Sequence, residues 1–147
     1  MIRRILHPTD FSRASTPALA KALEMAKANR AELRLVHVLD PVMPITDDYV
    51  SPPTYEQLRK SAHAYGRKQL DRLVSRARRA GVRATGVLRE GSACSEIVRA
   101  ARAPQVDLIV MGTHGRTGLS RLLLGSVASR VIGLARCPVL SVRSRTR

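Results

Sequence analysis

The chain has no tryptophan, one phenylalanine and three tyrosines, so aromatic residues make up only 3% of it. Phe11, Tyr49, Tyr55 and Tyr65 are poor material for the base-stacking platforms of single-strand nucleic-acid binders. Cysteine is equally scarce: Cys94 and Cys137 are too few and too far apart for a disulfide framework or a zinc cluster. Cys94 falls at the start of an expected helix, where a thiol pKa can drop, but no base accompanies it. No apolar run approaches the roughly 18 residues of a membrane span. The first strand begins within a few residues of Met1, so no signal peptide is expected and the default expectation is a cytoplasmic protein. Acidic residues are also few. Eleven carboxylates stand against 26 Lys and Arg, a formal net charge of +15. Residues 1–50 hold 7 basic and 6 acidic residues, leaving 19 and 5 downstream. That excess favours non-specific attraction to nucleic acid, acidic lipid or other polyanions. Missing too are the P-loop lysine and any Gly-x-Gly-x-x-Gly after the first strand. His7, His37, His63 and His114 lack metal-ligand spacing, and no Ser/His/Asp order or pair of carboxylates marks an acid–base centre. No catalytic residue is assigned.

What is present is the alternation of strands and helices. A chain of 147 residues, 44% of them hydrophobic, supports one domain with a real core. Ile2 to Pro8 is the first expected strand, and Ser15-Thr16-Pro17 opens a helix whose apolar face holds Ala18, Leu19, Ala22, Leu23 and Ala26. Glu32 to Val38 is the second strand. Asp40 to Pro53 carries four prolines and no periodicity, which predicts a long loop, either beside a ligand or an irregular surface connection. Thr54 to Ala80 is predicted as a long helix with Leu58, Ala62, Tyr65, Leu70, Leu73 and Ala77 inward and Arg59, Lys60, Arg67, Lys68, Arg72, Arg76, Arg78 and Arg79 on its other face. Gly81 ends it as a C-cap. A third strand over 84–88, a helix from Ser92 to Ala103, and strands at 108–111 and 139–142 complete the reading. Such alternation argues for a parallel sheet covered on both faces.

The most informative stretch follows the fourth strand. Leu108-Ile109-Val110-Met111 breaks into Gly112-Thr113-His114-Gly115-Arg116, and nine intervening residues separate Gly115 from Gly125-Ser126, which opens a helix containing Val127, Ala128, Val131, Ile132, Leu134 and Ala135. Ser126 is expected as its N-cap. Loop N–H groups, a helix amino end and the hydroxyls of Thr113 and Ser126 would together favour a phosphate. Arg116 can add charge to such an anion, and Arg121 is left open. Asp10 lies just past the first strand, at the end where open α/β sheets collect ligands; its residue type equally suits a turn or a cap. Asp107 opens a strand and is expected to point elsewhere.

This glycine spacing resembles the nucleotide-binding loop of the universal stress protein family. So do Ile5-Leu6-His7-Pro8-Thr9-Asp10-Phe11-Ser12, Leu35-Val36-His37-Val38 and Cys137-Pro138-Val139-Leu140-Ser141-Val142, in the right order along nearly the whole chain. The resemblance implies one domain over 1–147, Rossmann-like and similar to the adenine nucleotide alpha hydrolases, with an open five-stranded parallel sheet in the order 3-2-1-4-5. It implies an ATP-binding stress-response protein carrying Mg²⁺ or Mn²⁺ with the nucleotide. The implied contacts are Pro8, Thr9, Asp10, the main chain of Val38, Met111, Gly112, Thr113, His114, Gly115, Arg116, Gly125, Ser126 and Val127, with Asp10 toward ribose or, indirectly, the metal. A homodimer through strand 139–142 is also implied. Nothing positions a water nucleophile, so any hydrolysis should be slow, and nucleotide occupancy is expected to act as a switch. A slow ATPase or phosphotransferase and a basic nucleic-acid-associated protein are the competing expectations. Whether the basic tail over 143–147 is ordered stays open.

Overall fold

The computed structural model describes residues 1–41, 51–102, 105–113 and 124–144. Five parallel strands form one sheet: β1 (Arg4–Pro8), β2 (Glu32–Leu39), β3 (Ala84–Glu90), β4 (Leu108–Gly112) and β5 (Val139–Val142), in the order β3-β2-β1-β4-β5. The chain starts in the middle, steps outward twice, then returns to the other side of β1. That reversal sets β1 beside β4 as the topological switch point.

Helices cover both faces. On one side α1 (Thr16–Asn29) and α2 (Pro52–Arg79) enclose Ile5, Leu33, Leu35, Leu70 and Val110. On the other, α3 (Ala93–Arg102) and α4 (Ser126–Leu134) enclose Leu6, Val36, Ile97, Ile109 and Val131. Alternate residues of each central strand feed opposite cores, so β1, β2 and β4 place apolar residues on both faces. At the opposite end of the sheet from the switch-point loops, Asp107 Oδ2 accepts the amides of Arg3 (2.7 Å) and Arg4 (2.8 Å). Those two bonds hold its carboxyl below the usual aspartate range, and they point the side chain away from the crevice, as expected.

Two glycines bring α2 close to the sheet. A Cβ on Gly86 of β3 would sit 3.1 Å from Val74, and one on Gly66 of α2 would sit 3.0 Å from Leu88. At both positions a side chain would press on a neighbour across the helix–sheet contact, and glycine lets the two layers approach without displacing it.

Several expected details differ. Helix α2 starts at Pro52, so Pro52 and Pro53 belong to its first turn, where the missing N–H groups cost nothing. Its buried residues are Gly66, Leu70, Val74 and Ala77, whereas Leu58 and Tyr65 are exposed. The helix is longer than the strands it covers, and its early turns rise past their carboxyl ends. Ser126 is the first residue of α4 rather than its cap; Gly125 holds the cap position and makes no side-chain cap bond. Val127, Ile132 and Leu134 are exposed, leaving Ala128 and Val131 to anchor α4. The first strand begins at Arg4, and the third runs on to Glu90.

Candidate functional site

The switch point owes its shape to how β1 and β4 part. Their ladder comprises Ile5↔Leu108 and Leu6↔Ile109, although β1 continues to Pro8 and β4 to Gly112. The last residues of the two strands therefore diverge. Backbone groups leaving a ladder need another partner, and His7 supplies one: its Nδ1–H donates to the Val110 carbonyl at 2.8 Å. The ring is wholly buried, and burial pushes its pKa from 6.5 down to about 4, against the opposing pull of the Val110 bond and the Asp10 charge. His7 is thus a neutral clip across the mouth of the cleft.

Beyond β1 the chain makes a tightly tied turn. The Thr9 amide still donates to Val36 (2.9 Å), extending the β2 side of the sheet by one bond. Thr9 Oγ1 accepts the Phe11 amide (3.1 Å), and Asp10 Oδ1 accepts the Ser12 amide (2.9 Å), a local Asx-type bond that fixes the carboxylate at the end of the strand. Both readings of Asp10 are compatible with this, since one oxygen shapes the turn at the ligand-collecting end. Phe11 is held at φ 62°, a left-handed conformation rare for a bulky residue. Its ring packs 4.2 Å from His37, centroid to centroid, and meets the edge of Tyr65 at 6.3 Å. His37 Nδ1–H donates to the Thr9 carbonyl at 2.7 Å. The turn is clamped from β2 and α2 at once, which is how a strained residue persists there.

The other wall comes from β4. The Thr113 amide donates to Val142 (3.0 Å), and the Thr113 carbonyl accepts the Gly125 amide at 2.7 Å. That second bond sets the start of α4 against the end of β4. Gly125, at the cap position, has no side chain to offer the first turn, and a helix start of this kind presents amides suited to an anion. Gly112 is half-buried, Thr113 buried, and Ser126 and Val127 exposed.

Pro8, Thr9, Asp10, Met111, Gly112, Thr113, Gly125, Ser126 and Val127 are therefore gathered at the carboxyl ends of β1 and β4 and the start of α4. Val38 lies one strand over, near the end of β2 and paired with Arg89 of β3. Met111 is buried within the sheet, so it can offer main chain only. His114, Gly115, Arg116 and Arg121 lie outside the described residues, as do positions 42–50 of the long connection. Among the described residues no three His, Cys, Asp or Glu side chains cluster as a metal site. The clamp made by Phe11, His37 and Tyr65 escaped sequence reasoning; no local pattern announces a positive φ at phenylalanine.

Residues 1–143 match the sequence model of the Universal stress protein family. The chain belongs to this family. Among relatives of the family, Universal stress protein MJ0531 of Methanocaldococcus jannaschii is 39% identical over 146 residues, spanning 97% of this chain and 83% of the relative. Among solved structures, that of protein MJ0577, from the same organism, superposes with a TM-score of 0.81 at 29% identity, covering 100% of this chain and 99% of the other. A universal stress protein solved in complex with cAMP has a TM-score of 0.69 at 24% identity and 97% coverage of both chains, a likeness of fold. Two other structures of the fold were solved with AMP, in an Arabidopsis thaliana protein, and with dAMP, in one from Archaeoglobus fulgidus, at 20% and 24% identity.

Proposed function

We propose that the chain binds ATP in the cleft between β1 and β4 and works as a nucleotide-dependent regulator in the stress response, with at most slow hydrolysis. The observation that carries this reading is the 2.7 Å bond from the Gly125 amide to Thr113, which brings an uncapped helix start to the end of β4. Phosphates sit where the first amides of α4 and the glycine-rich stretch 112–116 offer donors. The adenine lies against the main chain of Val38, and the ribose faces Asp10. Other members of the fold holding cAMP, AMP or dAMP support an adenine ligand.

The donor set suits a metal that arrives with the nucleotide. Among the described residues one carboxylate, Asp10, stands at the site and is already bonded to the Ser12 amide; that set fits Mg²⁺ or Mn²⁺ held mainly by phosphates and water better than an all-protein cage. Such a metal would supply charge neutralisation at the phosphates, with Asp10 the carboxylate available to it and the helix amides available to the phosphate oxygens. No described residue is placed as a general base for attacking water, so occupancy rather than turnover is the output. A homodimer along the free edge of β5 fits the same picture: Val127, Ile132 and Leu134 are exposed on the neighbouring α4, and an uncovered edge strand invites pairing. A cytoplasmic setting completes the reading.

Mass spectrometry of small molecules released from the purified protein tests it, with ATP turnover followed in parallel. An adenine nucleotide is expected in the extract, with turnover close to the no-protein control. Rapid hydrolysis that disappears in Asp10→Ala would instead make the protein an ATPase.

A further inference from the structure

We propose that the exposed face of α2 is a docking surface for the phosphate backbone of duplex nucleic acid. The structure sorts the basic residues of this helix into two groups. Arg59 is engaged by Glu56 (3.1 Å) and Glu90 (3.3 Å), Lys60 lies 4.0 Å from Glu56, and Arg78 donates twice to the Ala84 carbonyl. These three are occupied within the fold. Arg67, Lys68, Arg72, Arg76 and Arg79 are exposed and make no hydrogen bond or ion pair among the described residues. Four of them, with Asp71 as the only carboxylate, line an open depression of about 580 Å³ along the helix.

The stripe has the dimensions of a backbone contact. From Arg67 to Arg79 the helix rises about 18 Å at 1.5 Å per residue, roughly the length of five base pairs along the duplex axis at 3.4 Å each. The four cations that line the depression, Arg67, Lys68, Arg72 and Arg79, share one face of the helix and form a track for phosphates, and each contact releases condensed counterions.

The composition of the face selects the polyanion. Helices that lie in a membrane surface bury large apolar side chains beside their cations. Here the depression holds Ala64 and Ser75, while Leu70, Val74 and Ala77 are committed to the sheet. Single strands are held by aromatic stacking, and no aromatic side chain lines the depression. A duplex asks only for charge at the right spacing. The surface is also separate from the nucleotide cleft, since the helix descends from the carboxyl ends of the strands to Arg78, which bonds the start of β3.

The test is fluorescence anisotropy with a labelled mixed-sequence DNA duplex and its single strand, on the full chain, between about 50 and 200 mM salt. With four to five phosphates neutralised, the logarithm of the binding constant should fall against log salt with a slope of about −4, a loss of about 250-fold over that range. Arg67→Gln/Lys68→Gln/Arg72→Gln/Arg76→Gln should bring the slope to about −1. Arg102→Gln/Arg130→Gln/Arg136→Gln, which removes exposed charge from the opposite face, should leave it unchanged. Melting curves confirm that both variants fold. The proposal is overturned by an unchanged slope in the α2 variant, an equal effect of the control, or tighter binding of the single strand. Binding to phosphatidylglycerol vesicles without binding to duplex would overturn it as well.

Discussion

His7→Asn isolates the clip across the cleft. In the native chain the buried ring donates to Val110 at 2.8 Å and titrates at about 4, while the unfolded chain titrates at 6.5. Between those values the unfolded state binds a proton that the folded state excludes, so stability falls as pH falls. The contribution is fully present above pH 6.5. Below that it declines by about 1.4 kcal/mol per pH unit, reaching about 3 kcal/mol once the pH passes the folded value. Asparagine keeps an N–H donor near the place of Nδ1 but cannot titrate, and the smaller side chain costs about 1–3 kcal/mol at all pH values. Urea unfolding of both proteins from pH 7.5 to 4 separates the two effects. Carboxylates that titrate at the low end are common to both and cancel in the difference. The native protein should lose about 3 kcal/mol more than the variant over this range. Parallel pH profiles would show that His7 is not held neutral by burial, and the account of the parting strands would fail with it.

Two further predictions concern packing and assembly. Gly86→Val should destabilise by about 1–3 kcal/mol through overpacking, because even a Cβ there lies 3.1 Å from Val74 and 3.5 Å from Leu70; a melting temperature equal to wild type would show that α2 can shift. On β5, Pro138 and Val142 direct their carbonyls to β4, so by strand alternation the N–H and C=O of Val139 and Ser141 face the free edge. Ser141→Pro should therefore convert the proposed dimer to monomer in sedimentation while leaving the β4 ladder intact, and a variant that stays dimeric would exclude edge pairing.

The strands were legible because a parallel sheet buried on both faces requires apolar runs: Ile5-Leu6 and Leu108 to Met111 are continuous, and Leu33 to Val36 is interrupted only by Arg34. Periodicity could not show their order, which depends on long-range pairing; the family resemblance implied it. Helix limits were misread where a residue type has two uses. Proline stops helices but also begins them, hence Pro52 and Pro53; serine commonly caps, yet Gly125 takes that position with Ser126 inside. Leu58 and Tyr65 fit a helical stripe on a helix that outreaches its sheet, and the pattern alone cannot tell where the sheet ends. At the site, glycine spacing singled out Gly112, Thr113 and Gly125 as expected phosphate contacts, whereas spacing left Asp10 between a turn and a ligand and only the family resemblance drew it toward the nucleotide. The clip made by His7 was not legible, because a core histidine looks the same whichever carbonyl it reaches.

The central claim rests on the amides at the start of α4, and one substitution removes a donor there without unfolding the helix. Gly125 has φ −57° and ψ 149°, a conformation compatible with a following proline, and proline is well tolerated at the first helical position. Ser126→Pro thus deletes the N–H and the hydroxyl and leaves α4 in place. In calorimetric titration with MgATP the account predicts affinity lower by about 10- to 100-fold, as expected for losing one or two bonds to a charged group, at an unchanged melting temperature. Equal affinity for native protein and variant would contradict it.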